Sequence, residues 1–490
     1  MTATTNQLYE NVLFIDGKFR PASGGRTLER RNPATGERVG HFASATETDA
    51  LAAIASARKA FDQGDWSRAD GAERAAVMLK ISDAMLEQLE HLAWLESVTT
   101  GAPLSDCRSF VRSSAEAFQY FAGLARDITG HTHTFGSAAA GFTLKEPMGV
   151  VSLILPWNFP LDEAAWKVCP ALAAGCAVVV KPDSKTPATA LALADILQHA
   201  GVPDGVYNVV VGEPADVGSA LTSHPDVDAI SFTGSTGSGR VVMRSAADTL
   251  KPLHLELGGK SPLLIFADAD IDAAAKDAAF GAFWHNGQVC TAASRLLVDK
   301  RVMGDFLERL THHAGTMTIG QPQHNDTILG AVISEQHLTR ITDYIQRGLS
   351  EGATLHMGGE ALTDGDFAEG AFIAPTVFVN ARNDMVIARE EIFGPVTIVF
   401  PFEDEQEALT IANDTTYGLG AGVWTKDVDR TFRVARRLEA GSVWVNGYGS
   451  ERLELPWGGY KQSGFGRELG RAGLDEYTRT KSLHLQIQGL

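Results

Sequence analysis

VVSLILP (150–156), CAVVVKP (176–182), YNVVVG (207–212) and DAISFTG (228–234) follow one another at short intervals. Each is a brief apolar run closed by proline or glycine, and most are rich in valine and isoleucine, the pattern of a fully buried strand. The intervals carry helix-like stretches: Trp166–Ala174, Ala188–Ala200 ended by Gly201, Ala215–Ser223, and then Ser238–Ala247. Strand–helix alternation of this length predicts βαβ units around a parallel sheet. A second series begins after PLHLELGGKSPLLIF (252–266). It holds strands at 294–298, 376–379, 396–400, 420–425 and 442–446, with helices at 271–285, 302–313, 335–351, 405–412 and 427–438. The fold class is therefore α/β, in two units with a seam near 256–262.

Outside this core the pattern changes. VLFIDGKF and NPATGE place short strands and turns over 12–42. Ala50, Ala53, Ile54, Ala57 and Phe61 recur at helical spacing after Thr46. The same spacing predicts one helix over Glu73–Val98 and another over about 105–126. THTFGSAAAGFTLKEP (132–147) has no helical period and reads as a β excursion from the body, while SLHLQI (482–487) alternates like an edge strand. Two such marginal segments suit assembly.

Bulk properties remove several classes of function. The 490 residues suggest roughly three structural units, and 44% hydrophobic content is that of an ordinary globular chain. The net charge of −18 argues against nucleic acid and against acidic membrane surfaces. Cys107, Cys169, Cys176 and Cys290 form no CxxC pair, which points to a reduced, cytoplasmic protein. The N-terminus has neither the basic nor the long apolar region of a secretory signal. The longest apolar run, Val168–Val180, is broken by Pro170 and Gly175 and falls short of a bilayer span.

Some motif matches fail. Gly348-Leu349-Ser350-Glu351-Gly352 fits GxSxG, but a helix precedes it where a nucleophile elbow needs a strand. Gly259-Lys260-Ser261 resembles the end of a phosphate loop, but His254 stands where the first glycine belongs. HExxH is absent, and the pairs His131/His133 and His312/His313 read as surface residues, so no metal site is expected. The better dinucleotide signal is Phe232-Thr233-Gly234-Ser235-Thr236-Gly237-Ser238-Gly239, entered by a strand and left by a helix. Its plainer alternative is a βα turn with a helix cap. Cys290 follows the glycine-containing turn His285-Asn286-Gly287-Gln288, where a chain presents functional groups, although a structural cysteine is the common case. Glu256, between leucines at a strand end, is costly to bury without a partner or a role. Asn158 follows a strand end in Pro156-Trp157-Asn158-Phe159-Pro160.

Taken together, PWNFP (156–160), KP (181–182), FTGSTGSG (232–239), LELGGK (255–260), GQVCTA (287–292), EEIFGP (390–395) and PWGGYKQSGFGRELG (456–470) resemble the aldehyde dehydrogenase superfamily over nearly the whole chain. The resemblance implies two Rossmann-like parallel α/β domains and a small β oligomerisation extension. Residues 1–127 and 147–256 would form the dinucleotide-binding domain, 257–455 the catalytic domain, and 128–146 with 470–490 the oligomerisation segments of a homodimer or homotetramer. It implies Cys290 as the nucleophile toward an aldehyde, Asn158 and the Cys290 N–H as oxyanion donors, Glu256 as the base that activates hydrolytic water, and Lys167 and Glu468 as a proton relay or, equally, a structural ion pair. NAD+ or NADP+ would meet Lys181 and Glu391 through ribose hydroxyls, Trp157 and Ser235 at the pyrophosphate and Phe393 near the nicotinamide. Ile154, Pro156, Gly234, Gly239 and Leu257 complete the cofactor set.

One departure bears on the cofactor. Many NAD-preferring members carry glutamate three residues after the lysine; this chain has Ser184, between Asp183 and Lys185. Losing that carboxylate removes a repulsion toward a 2′-phosphate, so NADP+ is expected to be accepted, with Lys185 helping and Asp183 opposing. Implied substrate-tunnel positions include Ser113, Phe159, Glu163, Trp166 and 448–453. Glu163 and Glu451 are acidic there, which favours a cationic aldehyde unless nearby Arg112 neutralises them. The rivals are a CoA-acylating relative, which usually lacks the glutamate, and a non-catalytic protein on the same scaffold.

Overall fold

The computed structural model describes residues 8–136 and 139–486. Two sheets organise the chain. The first is built on β1 (Val150–Ile154), β2 (Ala177–Lys181), β3 (Tyr207–Val209), β4 (Ala229–Thr233) and β5 (Leu253–Glu256). These run parallel in the order β3-β2-β1-β4-β5. Their side chains are buried on both faces, which is why the sequence reads as continuous apolar runs rather than alternation. The chain moves outward from β1 to β3, then returns to place β4 on the other side of β1. Beyond the carboxyl ends of β1 and β4 the connections diverge to opposite faces, and such a reversal opens a crevice.

The second sheet comprises β6 (Pro262–Ile265), β7 (Arg295–Asp299), β8 (Thr376–Val379), β9 (Val396–Phe402), β10 (Gly420–Trp424) and β11 (Ser442–Val445), parallel in the order β8-β9-β7-β6-β10-β11. The change from one sheet to the other falls in the five residues between Glu256 and Pro262, at the predicted seam. Both sheets also carry antiparallel edges: Leu13–Ile15 with Lys18–Arg20, and Gly464–Phe465, on the first, and Thr354–Met357 on the second. The Gly464–Phe465 pairing returns the C-terminal part of the chain to β5. The β excursion forms an antiparallel three-stranded sheet, Thr132–Phe135, Ala139–Pro147 and Thr478–Gln486. Residues 137–138 and Ile487 of the predicted segments lie outside the described residues.

Two predicted helices differ. Glu73–Val98 is two helices, Gly71–Glu87 and Leu89–Thr100, separated at Gln88, whose φ of −102° and ψ of 18° leave the helical region. Apolar spacing runs through the break (Met85, Leu89, Leu92), so periodicity cannot register it. The helix read from Trp166 starts six residues earlier, at Pro160, with Asp162 and Glu163 in its first turn. Proline and acidic residues favour that position, but polar residues there mask the apolar period. Ser350, in the rejected GxSxG match, ends the helix Glu335–Ser350 and donates its hydroxyl to the Arg347 carbonyl at 2.8 Å.

Arg295, fully buried at the start of β7, ties the second sheet to its surroundings. Its guanidinium donates to the carbonyls of Lys260 (3.0 Å), Ile411 (2.8 Å) and Ala412 (2.7 Å). Orphaning a buried acceptor costs about 1–3 kcal/mol. Arg295→Met is therefore expected to lower the thermal midpoint by several degrees in a melting curve; an unchanged midpoint would mean that the three carbonyls find other donors.

Candidate active site

The crevice at the β1/β4 reversal opens into a cleft of about 880 Å3 between the two sheets. Residues following β1 (Pro156, Trp157, Asn158) form one wall, with Ile154 at the strand end. Lys181 ends β2, Gly234 and Ser235 follow β4, and Leu257 follows β5. Cys290, Glu391 and Phe393 come from the second series. The structure thus brings most of the predicted residues to one surface.

Two glycines make this convergence possible. A Cβ on Gly259 would stand 2.2 Å from the Cys290 carbonyl oxygen, and one on Gly258 would stand 2.2 Å from the Glu391 carboxylate. The Gly259 N–H donates to Glu391 Oε1 at 2.9 Å. Asn158 is fixed from both ends: its side-chain amide donates to the Gln288 carbonyl at 2.9 Å, and His285 Nε2 donates to its backbone carbonyl at 2.8 Å. Asn158 is thereby locked to the turn that carries Cys290. Phe393 has a φ of +61°, an unusual conformation for an aromatic residue, and its carbonyl accepts from His337 Nε2 at 2.6 Å.

Among the predicted cofactor residues, Ser184 and Gly239 do not line the cleft. Ser184 is buried with its carbonyl held by the Arg30 guanidinium, and its neighbours Asp183 and Lys185 face the cleft instead, 3.9 Å apart. Gly239 is buried against Leu257, allowing the helix Thr236–Ala246 to pack closely. Ser235 is both cap and lining: its hydroxyl accepts from the Ser238 N–H at 3.2 Å, so the two readings of that motif are compatible. No motif marks His337, Arg340, Val241 or Val242, which also line the cleft. They lie on amphipathic helices, and only packing tells which polar face meets a cavity.

Behind the cleft lies a buried charge cluster. Glu256, Lys167, Glu468 and Glu163 are all buried, with Lys167 paired to Glu468 and 3.5 Å from Glu163. Lys167 also donates to Thr233 Oγ1 at 2.6 Å. Burial works against the Lys167 ammonium, but Glu468 and Glu163 outweigh it and raise its pKa. Burial pushes the Glu256 carboxyl well up, opposed by Lys167, and raises Glu468 to about 7.

Of the four thiols, Cys107, Cys169 and Cys176 are buried and away from the cleft; Cys290 alone lines it. Its pKa is raised by burial first, then by the charges of Glu163, Glu451, Glu391 and Glu256. Glu451 reaches solvent yet is walled by protein, and burial with Asp162 and Glu163 nearby raises it to about 8. The thiol therefore sits in a field of carboxylates. Arg112 is exposed, and its charge acts on Glu90.

The groups present suit a dinucleotide. Lys181 is buried with its ammonium donating only to the Pro182 carbonyl (3.1 Å), and Glu391 keeps one oxygen beyond the Gly259 bond, a donor and an acceptor for sugar hydroxyls. The N-terminus of the helix after Ser235 borders the cleft, as a phosphate requires. Among the described residues, no three His, Cys, Asp or Glu side chains gather as a metal site.

Known proteins place this architecture. The aldehyde dehydrogenase family model matches residues 19–483. A betaine aldehyde dehydrogenase of Bacillus subtilis (strain 168) is 43% identical over 474 residues, covering 96% of this chain and 97% of the relative. Among solved structures, betaine aldehyde dehydrogenase of Staphylococcus aureus in complex with NAD+ superposes with a TM-score of 0.97 at 38% identity, covering 100% of this chain and 98% of that one. An NAD-dependent aldehyde dehydrogenase from Sinorhizobium meliloti superposes at 0.96 with 42% identity, covering 99% and 96%. The chain belongs to the aldehyde dehydrogenase family; it is an oxidoreductase that acts on aldehydes with a nicotinamide dinucleotide as acceptor.

The carboxylate field gives a test of the ligand-free site. A raised pKa leaves little thiolate at neutral pH. Alkylation of Cys290 by iodoacetamide, followed by peptide mass, is expected to keep accelerating beyond about pH 8.5, the ordinary thiol value; levelling off below about pH 7.5 would mean that a donor already stabilises the thiolate.

Proposed function

We propose that the chain oxidises a cationic aldehyde to its carboxylic acid by covalent attachment to Cys290 and release by Glu256-activated water. The observation that carries this reading is the lone cleft-lining thiol of Cys290, locked through Gln288 to the Asn158 amide, with Glu256 buried one residue from the cleft-lining Leu257. Cys290 attacks the carbonyl carbon. The second N–H of the Asn158 amide, with the Cys290 backbone N–H, stabilises the oxyanion that forms; such a donor is typically worth about 10²–10³ in rate. Bound NAD+ or NADP+ would supply the hydride acceptor for oxidation of the thiohemiacetal on Cys290 to a thioester. Glu256, its carboxyl pushed up by burial, takes a proton from the attacking water, and Lys167 with Glu468 passes that proton onward.

Lys181 and Glu391 would hold ribose hydroxyls, Trp157 and Ser235 the pyrophosphate, and Phe393 the nicotinamide end. Residues 1–127 and 147–256 would bind the dinucleotide and 257–455 supply the nucleophile. The exposed apolar side chains Phe142, Leu144, Leu483 and Leu485 of the three-stranded sheet favour 128–146 and 470–490 as the contacts of a homodimer or homotetramer. Four free thiols fit a cytoplasmic enzyme. Ser184 offers no carboxylate, and Asp183 is offset by Lys185, which supports use of NADP+ as well as NAD+.

For the substrate, Glu163 and Glu451 act on the Cys290 thiol and Asp162 acts on Glu451, a set of carboxyl groups that favours a cation. The B. subtilis and S. aureus relatives are named for betaine aldehyde, a quaternary ammonium compound.

Cys290→Ala is expected to abolish aldehyde-dependent reduction of the dinucleotide. The wild type should form free carboxylic acid without CoA, and a requirement for CoA would favour the acylating rival. In a panel of both cofactors against aldehydes, kcat/KM should differ between NAD+ and NADP+ by less than about a thousandfold, and a quaternary ammonium aldehyde should exceed its neutral isostere by about tenfold, as a desolvated cation–carboxylate contact allows. Equal rates on both aldehydes would dispose of the cationic assignment.

A further inference from the structure

His254, the residue that broke the phosphate-loop match, lies inside the buried cluster and is 4% exposed. It stands two residues before Glu256 on β5, so the two side chains share a face of the sheet. Its register partner on β4 is Ser231, as Thr233 is the partner of Glu256. His254 Nε2 is 3.2 Å from Glu256 Oε1, and Nδ1 is 2.9 Å from Ser231 Oγ. A carboxylate only accepts, so Nε2 carries the proton and the Ser231 hydroxyl donates to Nδ1. The ring lies against Gly466, where a Cβ would stand 2.4 Å from its Cδ2. The charged groups facing it are Glu256 on its own strand, Lys167 and Glu163 from the helix Pro160–Ala174, and Glu468 and Glu476 from the C-terminal segment, with Glu468 3.8 Å from Nδ1. Burial drives its pKa down to about 4, so the ring is neutral and adds no charge. The other oxygen of Glu256, Oε2, is buried and has no hydrogen-bond partner.

We propose that His254 is a positioning residue for the hydrolytic step: it holds Glu256 by Oε1 and leaves Oε2 free to take the proton from water. This rests on the cysteine–glutamate reading above. In that step a water O–H bond breaks and its proton goes to Oε2. The hydroxide oxygen bonds to the acyl carbon, and the C–S bond breaks, returning Cys290 as thiolate and releasing the carboxylic acid. Attack on the aldehyde and reduction of the dinucleotide precede this step and do not use Oε2. Removing His254 should therefore slow release without slowing reduction.

The test is a single turnover with enzyme in excess over aldehyde in the presence of NAD+, reading reduction by absorbance and acyl-Cys290 by the mass of acid-quenched protein. For His254→Leu, reduction should stay within about threefold of wild type and the acyl-enzyme lifetime should lengthen at least tenfold, the low end of the loss expected for a misplaced general base. His254→Gln, whose amide N–H can replace Nε2–H, should restore the lifetime to within about threefold. An unchanged lifetime in His254→Leu overturns the proposal, as does an equal loss of both steps that His254→Gln does not rescue. Should His254→Leu fail to fold, Ser231→Ala frees the ring at Nδ1 and is read in the same way: a longer lifetime with intact reduction supports the assignment, and an unchanged one sinks it. A wild type that shows neither reduction nor an acyl adduct on Cys290 removes the underlying catalytic reading, an outcome separable from any behaviour of the variants.

Discussion

The site depends on how closely the two sheets approach at Gly258 and Gly259. The chain leaves β5 at Glu256 and enters β6 at Pro262, and between them its backbone lies against the Cys290 carbonyl on one side and the Glu391 carboxylate on the other. Any side chain at these two positions would occupy space already filled by those atoms. The separation of the sheets, the width of the cleft and the placement of the thiol all follow from that contact. Asn158 adds a second tie, bridging the end of the first sheet to the turn that carries Cys290 through its bond to Gln288. Cys290 is thus fixed by backbone contacts from both sheets rather than by its own short side chain.

A second constraint is the charge buried behind this contact. Glu163, Lys167, Glu256 and Glu468 lie together in the interior, where an unpaired charge would cost several kcal/mol. One ammonium serves these three carboxyl groups. The balance raises the pKa of Lys167 and raises Glu256 and Glu468, and Glu468, at about 7, can exchange a proton near neutral pH. The same carboxylates act on Cys290 and raise its pKa. A positively charged substrate or cofactor ring entering the cleft would relieve that field, which couples occupancy of the site to the reactivity of the thiol.

Much of this was legible in the sequence. The apolar runs ending in proline or glycine marked β1 to β4 because strands covered on both faces tolerate no polar alternation. The glycine-rich stretches marked the loops, and Glu256 declared itself by being a carboxylate between leucines. Periodicity failed where it carries no information: it ran through the break at Gln88 and missed the first turn of the helix from Pro160, whose acidic residues turn inward rather than to solvent.

The sequence by itself determined the kinds of element, their order, the seam near 256–262 and the family, because burial pattern and motif chemistry are local properties of the chain. Only the tertiary structure decided which side chains meet. It withdrew Ser184 into the interior and put Lys185 in the cleft, turned Arg112 outward, and set His254 between Ser231 and Glu256. The reason is physical: each of these depends on strand register and on which face of an element is covered. Those are settled by contacts between segments far apart in the chain, and no single segment encodes them.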